Sequence, residues 1–152
     1  MNNVEQSDPL SPEGHSLINI IKTGKILTRY MDRKLRSIGT SVVELGILHR
    51  IRNMGCRRLT DLAEDDFISK PRVSNILNAM VERGLIERVR DASDERSFEL
   101  AISKSGEKLY SDSIVLINEL SRELFKDADL NLTDGIFRDA LSRIDNMPRD
   151  RM

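Results

Sequence analysis

The chain is short of cysteine, aromatics and net charge. It has one cysteine, Cys56, no tryptophan, and aromatic residues at only 4% of its 152 positions. A single cysteine excludes an intramolecular disulfide framework and suits a reducing cytosol. No apolar run approaches the ~20 residues that a membrane-spanning helix requires, and the N-terminus carries no apolar signal segment. The expectation is a soluble, cytoplasmic protein with no membrane partner. Charge of one sign is missing too: 24 Lys+Arg stand against 25 Asp+Glu, a formal net charge of −1. Without a global field, any surface that attracts nucleic acid must be local. The sequence has no phosphate-cradling glycine loop, nucleophile elbow or paired catalytic carboxylates, so no enzyme is expected. His15 and His49 stand in different helices without a cysteine or acidic ligand pattern, which leaves no metal site and no cofactor. His49 is expected as a satisfied interior or interface residue, and Tyr30 and Tyr110 as core or as lining of a pocket.

What the sequence does have is helical periodicity. From Glu13 to about Ser37 an apolar stripe of Leu17, Ile20, Ile21, Leu27, Met31 and Leu35 runs for more than six turns. Such a stripe needs a partner surface, in this chain or in a second copy. Ser41 and Glu44 fit a capping box opening a mostly buried helix that stops at Gly55. A short helix with Thr60 as cap should turn Leu59, Leu62, Ala63 and Phe67 inward. After Gly84 the period changes: "LIERVR", a charged turn, and "RSFELAIS" with Phe98, Leu100 and Ile102 on one face read as a β-hairpin. Ser103 then caps a helix striped by Leu109, Ser113, Leu116, Ile117, Leu120 and Leu124. Thr133 caps a last one, with Ile136, Phe137, Ala140, Leu141 and Ile144, closed by Pro148.

Long helix, three helices, hairpin and two helices in that order give a mainly α fold with a small β-hairpin wing. The reading divides the chain into a flexible N-terminus (1–12), an N-terminal dimerisation helix (13–40), a winged helix-turn-helix DNA-binding domain (41–103), C-terminal dimerisation helices (104–147) and a tail (148–152). The two end segments can build one bundle shared by a homodimer.

One stretch points to chemistry. In "SKPRVSNILNAMVERG", residues 69–84, Val73, Ile76, Leu77 and Met80 form one helical stripe, Ser69 suits the N-cap and Gly84 the C′ stop. The opposite face carries Pro71, Ser74, Asn75 and Asn78, with Lys70 and Arg72 at its leading end and no carboxylate before Glu82. A helix fits the DNA major groove, where Arg can bond guanine O6/N7 and Asn can pair with adenine. Arg72 and Asn75 are candidates for base edges; Ser69, Lys70 and Ser74 suit phosphates.

The run "LTDLAEDDFISKPRVSNILNAMVERGLIERVRDASDERSFELAISKSGEKL" resembles the MarR (multiple antibiotic resistance regulator) family of transcriptional regulators. The likeness rests on "LxxLA", "VSxxLxxMxxxGLIxR", the wing residues Asp94, Arg96 and Ser97, and "ISKSGE". It implies a dimer in which helix 70–83 reads the major groove of a palindromic operator. The wing would carry Arg90, with Arg96 probing the minor groove and Asp94 holding it. It also implies a regulator, most often a repressor, released by a small, aromatic or anionic effector. Two other readings stand beside it. Residues 57–99 carry 8 Lys/Arg against 10 Asp/Glu, a local net of −2, which suits a winged-helix protein-interaction module without specific DNA binding. A redox-sensing regulator would use Cys56.

Overall fold

A helix of 25 residues, α1 (Pro12–Arg36), opens the structure, a computed structural model that describes residues 9–63, 69–90, 98–127, 135, 137–140, 142–143 and 146. Proline in the first turn and the Ser11 hydroxyl, which accepts the Gly14 N–H at 3.1 Å, start it. Glu13 in the first turn and Arg33, Lys34 and Arg36 in the last complement its dipole. Its C-terminal end is anchored: Leu35 is fully buried, and the Asp32 carboxylate accepts the Val42 N–H at 2.7 Å. Further back the stripe opens to the surface, with Leu17, Ile20 and Ile21 exposed and Leu27 and Met31 half-buried.

Helix α2 (Val42–Met54) supplies the centre of the core through Leu45, Ile47, Leu48 and Ile51. The expected capping box is half formed. The Ser41 hydroxyl accepts the Glu44 N–H at 3.2 Å. The Glu44 carboxylate, however, bonds the Thr40 hydroxyl at 3.2 Å and the Arg83 guanidinium at 2.6 Å. A charged donor from another helix holds a carboxylate more strongly than a neutral backbone N–H does. Gly55, at φ +68°, ends the helix.

In α3 (Leu59–Ala63) the expected cap is displaced. The helix begins at Leu59, ahead of Thr60, because the Asp61 carboxylate reaches back to the N–H groups of Arg58 and Arg57, at 2.9 and 3.0 Å. Leu62 is buried, while Leu59 and Ala63 are half-buried; Phe67 lies outside the described residues. Helix α4 (Lys70–Glu82) buries Val73, Leu77 and Met80 and half-buries Ile76. Ser69 takes the cap position with extended backbone but makes no side-chain cap bond, and Gly84, at φ +69°, ends the turn after the helix.

Strands β1 (Ile86–Arg90) and β2 (Phe98–Ile102) pair antiparallel with Ile86 opposite Ile102 and Arg90 opposite Phe98. The Leu100 N–H also bonds the Arg57 carbonyl at 2.8 Å, so the segment before α3 lies against the hairpin's edge. Of the residues expected on one face of β2, Leu100 is buried and Ile102 half-buried; Phe98 is 52% exposed because it sits at the outer end of the strand. α2 packs on β2, α3 on α4, and α4 on β1.

Helix α5 (Lys104–Leu124) starts as expected at Ser103. The buried Ser103 hydroxyl accepts the Gly106 N–H at 3.0 Å and donates to the Gly84 carbonyl at 2.6 Å. Gly106 lies so close to the Leu85 carbonyl that a Cβ would collide with it. The "SKSG" step therefore has a physical reason: the first turn of α5 is pressed against the chain leaving α4.

The backbone divides into two compact units, Met1–Leu116 and Ile117–Met152. In the second, Leu120 is buried, Leu124, Phe125 and Phe137 are exposed, and helical backbone is described at 135, 137–140 and 142–143. Thr133, Ile136, Leu141, Ile144 and Pro148, expected to define the last helix, lie outside the described residues.

Candidate nucleic-acid interface

Helix α4 separates its residues cleanly by face. The spacing that buries Val73, Leu77 and Met80 leaves Pro71, Arg72, Asn75 and Asn78 exposed and Ser74 half-buried. Ser69 and Lys70 are exposed at the helix start. Among the described residues, the side chains of Ser69, Lys70, Arg72 and Asn75 have no hydrogen-bond or ion-pair partner within the chain. Donors held on a rigid helix and left unpaired are the raw material of a binding surface.

Three of the described carboxylates are occupied elsewhere. Asp61 accepts two backbone N–H groups, that of Arg58 foremost, and these hold its carboxyl below the ordinary carboxylate range. Glu99 pairs with Arg57 at 3.0 Å, and Glu44 with Arg83. Pairing Glu99 with Arg57 removes one charge of each sign and leaves the local net charge unchanged, but among the described residues none of those three carboxylates forms an ion pair with Lys70 or Arg72.

Of the residues expected at the interface, the structure brings Ser69, Lys70, Pro71, Arg72, Ser74, Asn75 and Asn78 onto one helix surface. Arg90 is exposed at the end of β1. Asp94 and Arg96 lie outside the described residues. One further residue belongs here and was not expected: Arg88 of β1 donates to the Asn78 Oδ1 at 2.6 Å, joining the helix to the hairpin. A signal for it was present, since period-2 alternation puts Arg88 on the same strand face as Arg90.

Two supports act at the end of α4 and a third on α3, and periodicity points to none of them. Arg83, just past its last turn, bonds Glu44 and the Gly39 carbonyl. Arg50 of α2 donates to the carbonyls of Asp61 and Leu62 at 2.7 and 3.0 Å, bracing α3. Ser103 fixes the Gly84 carbonyl.

On the far side of α2 lies a separate polar cluster. The His49 Nδ1 meets the Tyr110 hydroxyl at 2.9 Å, and the Asn53 amide donates to that hydroxyl, also at 2.9 Å. His49 is exposed rather than interior, though satisfied; Tyr110 is buried, as expected for core. Tyr30 is half-buried, with the Lys34 ammonium 5.8 Å from its ring centre. Cys56 is a free, half-buried thiol. Among the described residues no cluster of His, Cys, Asp or Glu could hold a metal ion, and no helix is long and apolar enough to cross a membrane.

Three helices, the last exposed and followed by a two-stranded wing, define a winged helix-turn-helix protein. Residues 41–98 match the MarR family. Over 100 residues the chain is 27% identical to the HTH-type transcriptional regulator FarR of Neisseria gonorrhoeae, covering 64% of this chain and 68% of that protein. Its fold is that of solved regulators. The organohalide-sensing regulator RdhR, in its 2,4-dichlorophenol-bound form, superposes with a TM-score of 0.75 at 18% identity, over 96% of this chain and 89% of that one. AbsC, a MarR family regulator from Streptomyces coelicolor, gives 0.74 at 19% identity over 93% and 100%. A mutant MarR from E. coli complexed with operator DNA gives 0.70 at 18% identity over 91% and 99%. The likeness to the MarR family model is confined to the winged helix-turn-helix segment, residues 41–98.

Proposed function

We propose that the protein is a sequence-specific DNA-binding regulator, a repressor, that binds a palindromic operator as a homodimer and is released by a small effector. The observation that carries this reading is the exposed, internally unpartnered donor face of α4: Ser69, Lys70, Arg72 and Asn75 on a helix braced from behind. Arg72 and Asn75 would take base edges, Ser69, Lys70 and Ser74 phosphates, and Arg90, Asp94 and Arg96 the wing's contacts. The exposed part of the α1 stripe and the exposed Leu124, Phe125 and Phe137 supply the apolar surface that a second copy would cover. A two-fold dimer would set its reading helices about one DNA turn apart, roughly 34–36 Å.

The effector would enter the cleft beside α4. A cavity of about 190 Å³ lies between α4 and the hairpin, with Leu59, Leu77, Phe98 and Leu100 as apolar wall and Arg88 as a cation. That combination suits a small aromatic anion.

Titration of the full-length protein against DNA from upstream of its own coding region, with random DNA as competitor and across a salt series, tests the reading. Specific binding should fall with salt at a slope of about −0.9 per phosphate neutralised. Binding no better than to random DNA, followed by failure to enrich any fragment from the whole genome, would reject it in favour of the interaction module that the local acid surplus suggests.

A further inference from the structure

The Arg88–Asn78 bond changes what the second asparagine of α4 can read. An asparagine pairs with adenine by accepting from N6–H through its carboxamide oxygen while donating to N7 through its amide. A guanidinium only donates, so the group that Asn78 turns toward Arg88 must be its oxygen, and the structure has it so, at 2.6 Å. What Asn78 then presents outward is N–H. Arg88 adds its remaining N–H groups and a positive charge that repels an amino group on the base. Asn75, one turn earlier on the same face, has no such partner among the described residues and keeps both halves of its amide.

We infer that Asn78 and Arg88 act as one donor unit selective for guanine, whose major-groove edge offers the acceptors O6 and N7, and that Asn75 alone is left to read adenine. The inference rests on the DNA-binding reading above and deepens it: two asparagines at i and i+3, chemically identical in sequence, have different base preferences because one is held by the wing. Arg88 thereby becomes a specificity-positioning residue even where it touches no base itself. The mixed charge of the hairpin does not weaken the pairing, because Asn78 is neutral and its bond to Arg88 leaves the cation in place.

Selection from a random duplex library separates the possibilities. The full-length protein is run beside Asn78→Ala, Arg88→Met and Asn75→Ala, with thermal melts to verify folding. The wild-type protein should enrich a half-site containing a guanine whose preference drops about tenfold in Asn78→Ala. In Arg88→Met the freed carboxamide should shift that same position toward adenine, and Asn75→Ala should alter a different position. If Asn78→Ala and Arg88→Met leave every base preference intact, or if the position they control specifies adenine in the wild type, the inference is overturned. An Arg88→Met protein that weakens all sequences equally and reduces the salt slope by about 0.9 would mark Arg88 as a phosphate contact and also overturn it. If the wild type enriches nothing while remaining folded, the DNA-binding reading itself fails, and that failure is visible before any variant is compared.

Discussion

Helices α2 and α4 are the same length, 13 residues, and both carry cations and asparagine on their outer sides. They use them in opposite ways. On α2, Arg50 bonds the carbonyls of Asp61 and Leu62, Arg52 pairs with Glu107 at 2.8 Å, and Asn53 bonds His49 and Tyr110. On α4, Lys70, Arg72 and Asn75 bond nothing within the chain among the described residues, and only Asn78 is engaged, by Arg88. Polar composition does not separate the two helices; the destination of each hydrogen bond does.

Four substitutions would break or sharpen that contrast. The largest effect is expected at the shared platform. Gly106→Ala forces a Cβ into the Leu85 carbonyl and should destabilise the fold by about 3 kcal/mol, read as a lower denaturation midpoint. Next, Arg50→Met leaves two carbonyls without their charged donor and should cost about 2 kcal/mol of stability. Arg72→Ala inverts the pattern: its melting curve should match wild type, because an exposed side chain without internal partners contributes within about 0.5 kcal/mol. Its specific DNA affinity should nevertheless fall by about 1–3 kcal/mol in a competition titration. A stability loss for Arg72→Ala equal to that of Arg50→Met would erase the distinction between the two helices.

The smallest effect concerns acid. The Asp61 carboxyl is held below its ordinary range by the Arg58 and Arg57 N–H groups, so its contribution is present above the unfolded-state value and is lost as pH falls through the lower folded-state value. Asp61→Asn should therefore melt lower than wild type near neutrality, with the gap closing in strongly acidic buffer. A gap that stayed constant with pH would show that the carboxylate's charge is not what holds the turn.

Local signals made most of the fold legible. The 3.6-residue stripes, Ser41 and Ser103 as caps, the stops at Gly55 and Gly84, and the change to period 2 after residue 84 each depend on neighbours a few positions away. The structure adds what depends on residues far apart in the chain. Glu44 looks like the second half of a capping box until Arg83, 39 positions later, claims its carboxylate. Thr60 looks like a cap until Asp61 satisfies the N–H groups that precede it. Asn75 and Asn78 are indistinguishable as letters, and only the return of β1 alongside α4 gives one of them a partner. On the candidate surface, the residues of α4 could be picked from sequence because helical spacing decides exposure. Alternation set Arg88 beside Arg90 on the strand, but its bond to Asn78 is a tertiary contact that no local signal names.

The joint at Gly84, Leu85, Ser103 and Gly106 has a mechanical consequence. Backbone approaches backbone there: Ser103 bonds the Gly84 carbonyl through its hydroxyl and the Leu85 carbonyl through its N–H, and a Cβ at position 106 would meet both the Leu85 carbonyl and the Ile102 side chain. A joint without slack transmits rotation instead of damping it. A tilt imposed on the first turn of α5 would therefore bear directly on the backbone at the trailing end of α4.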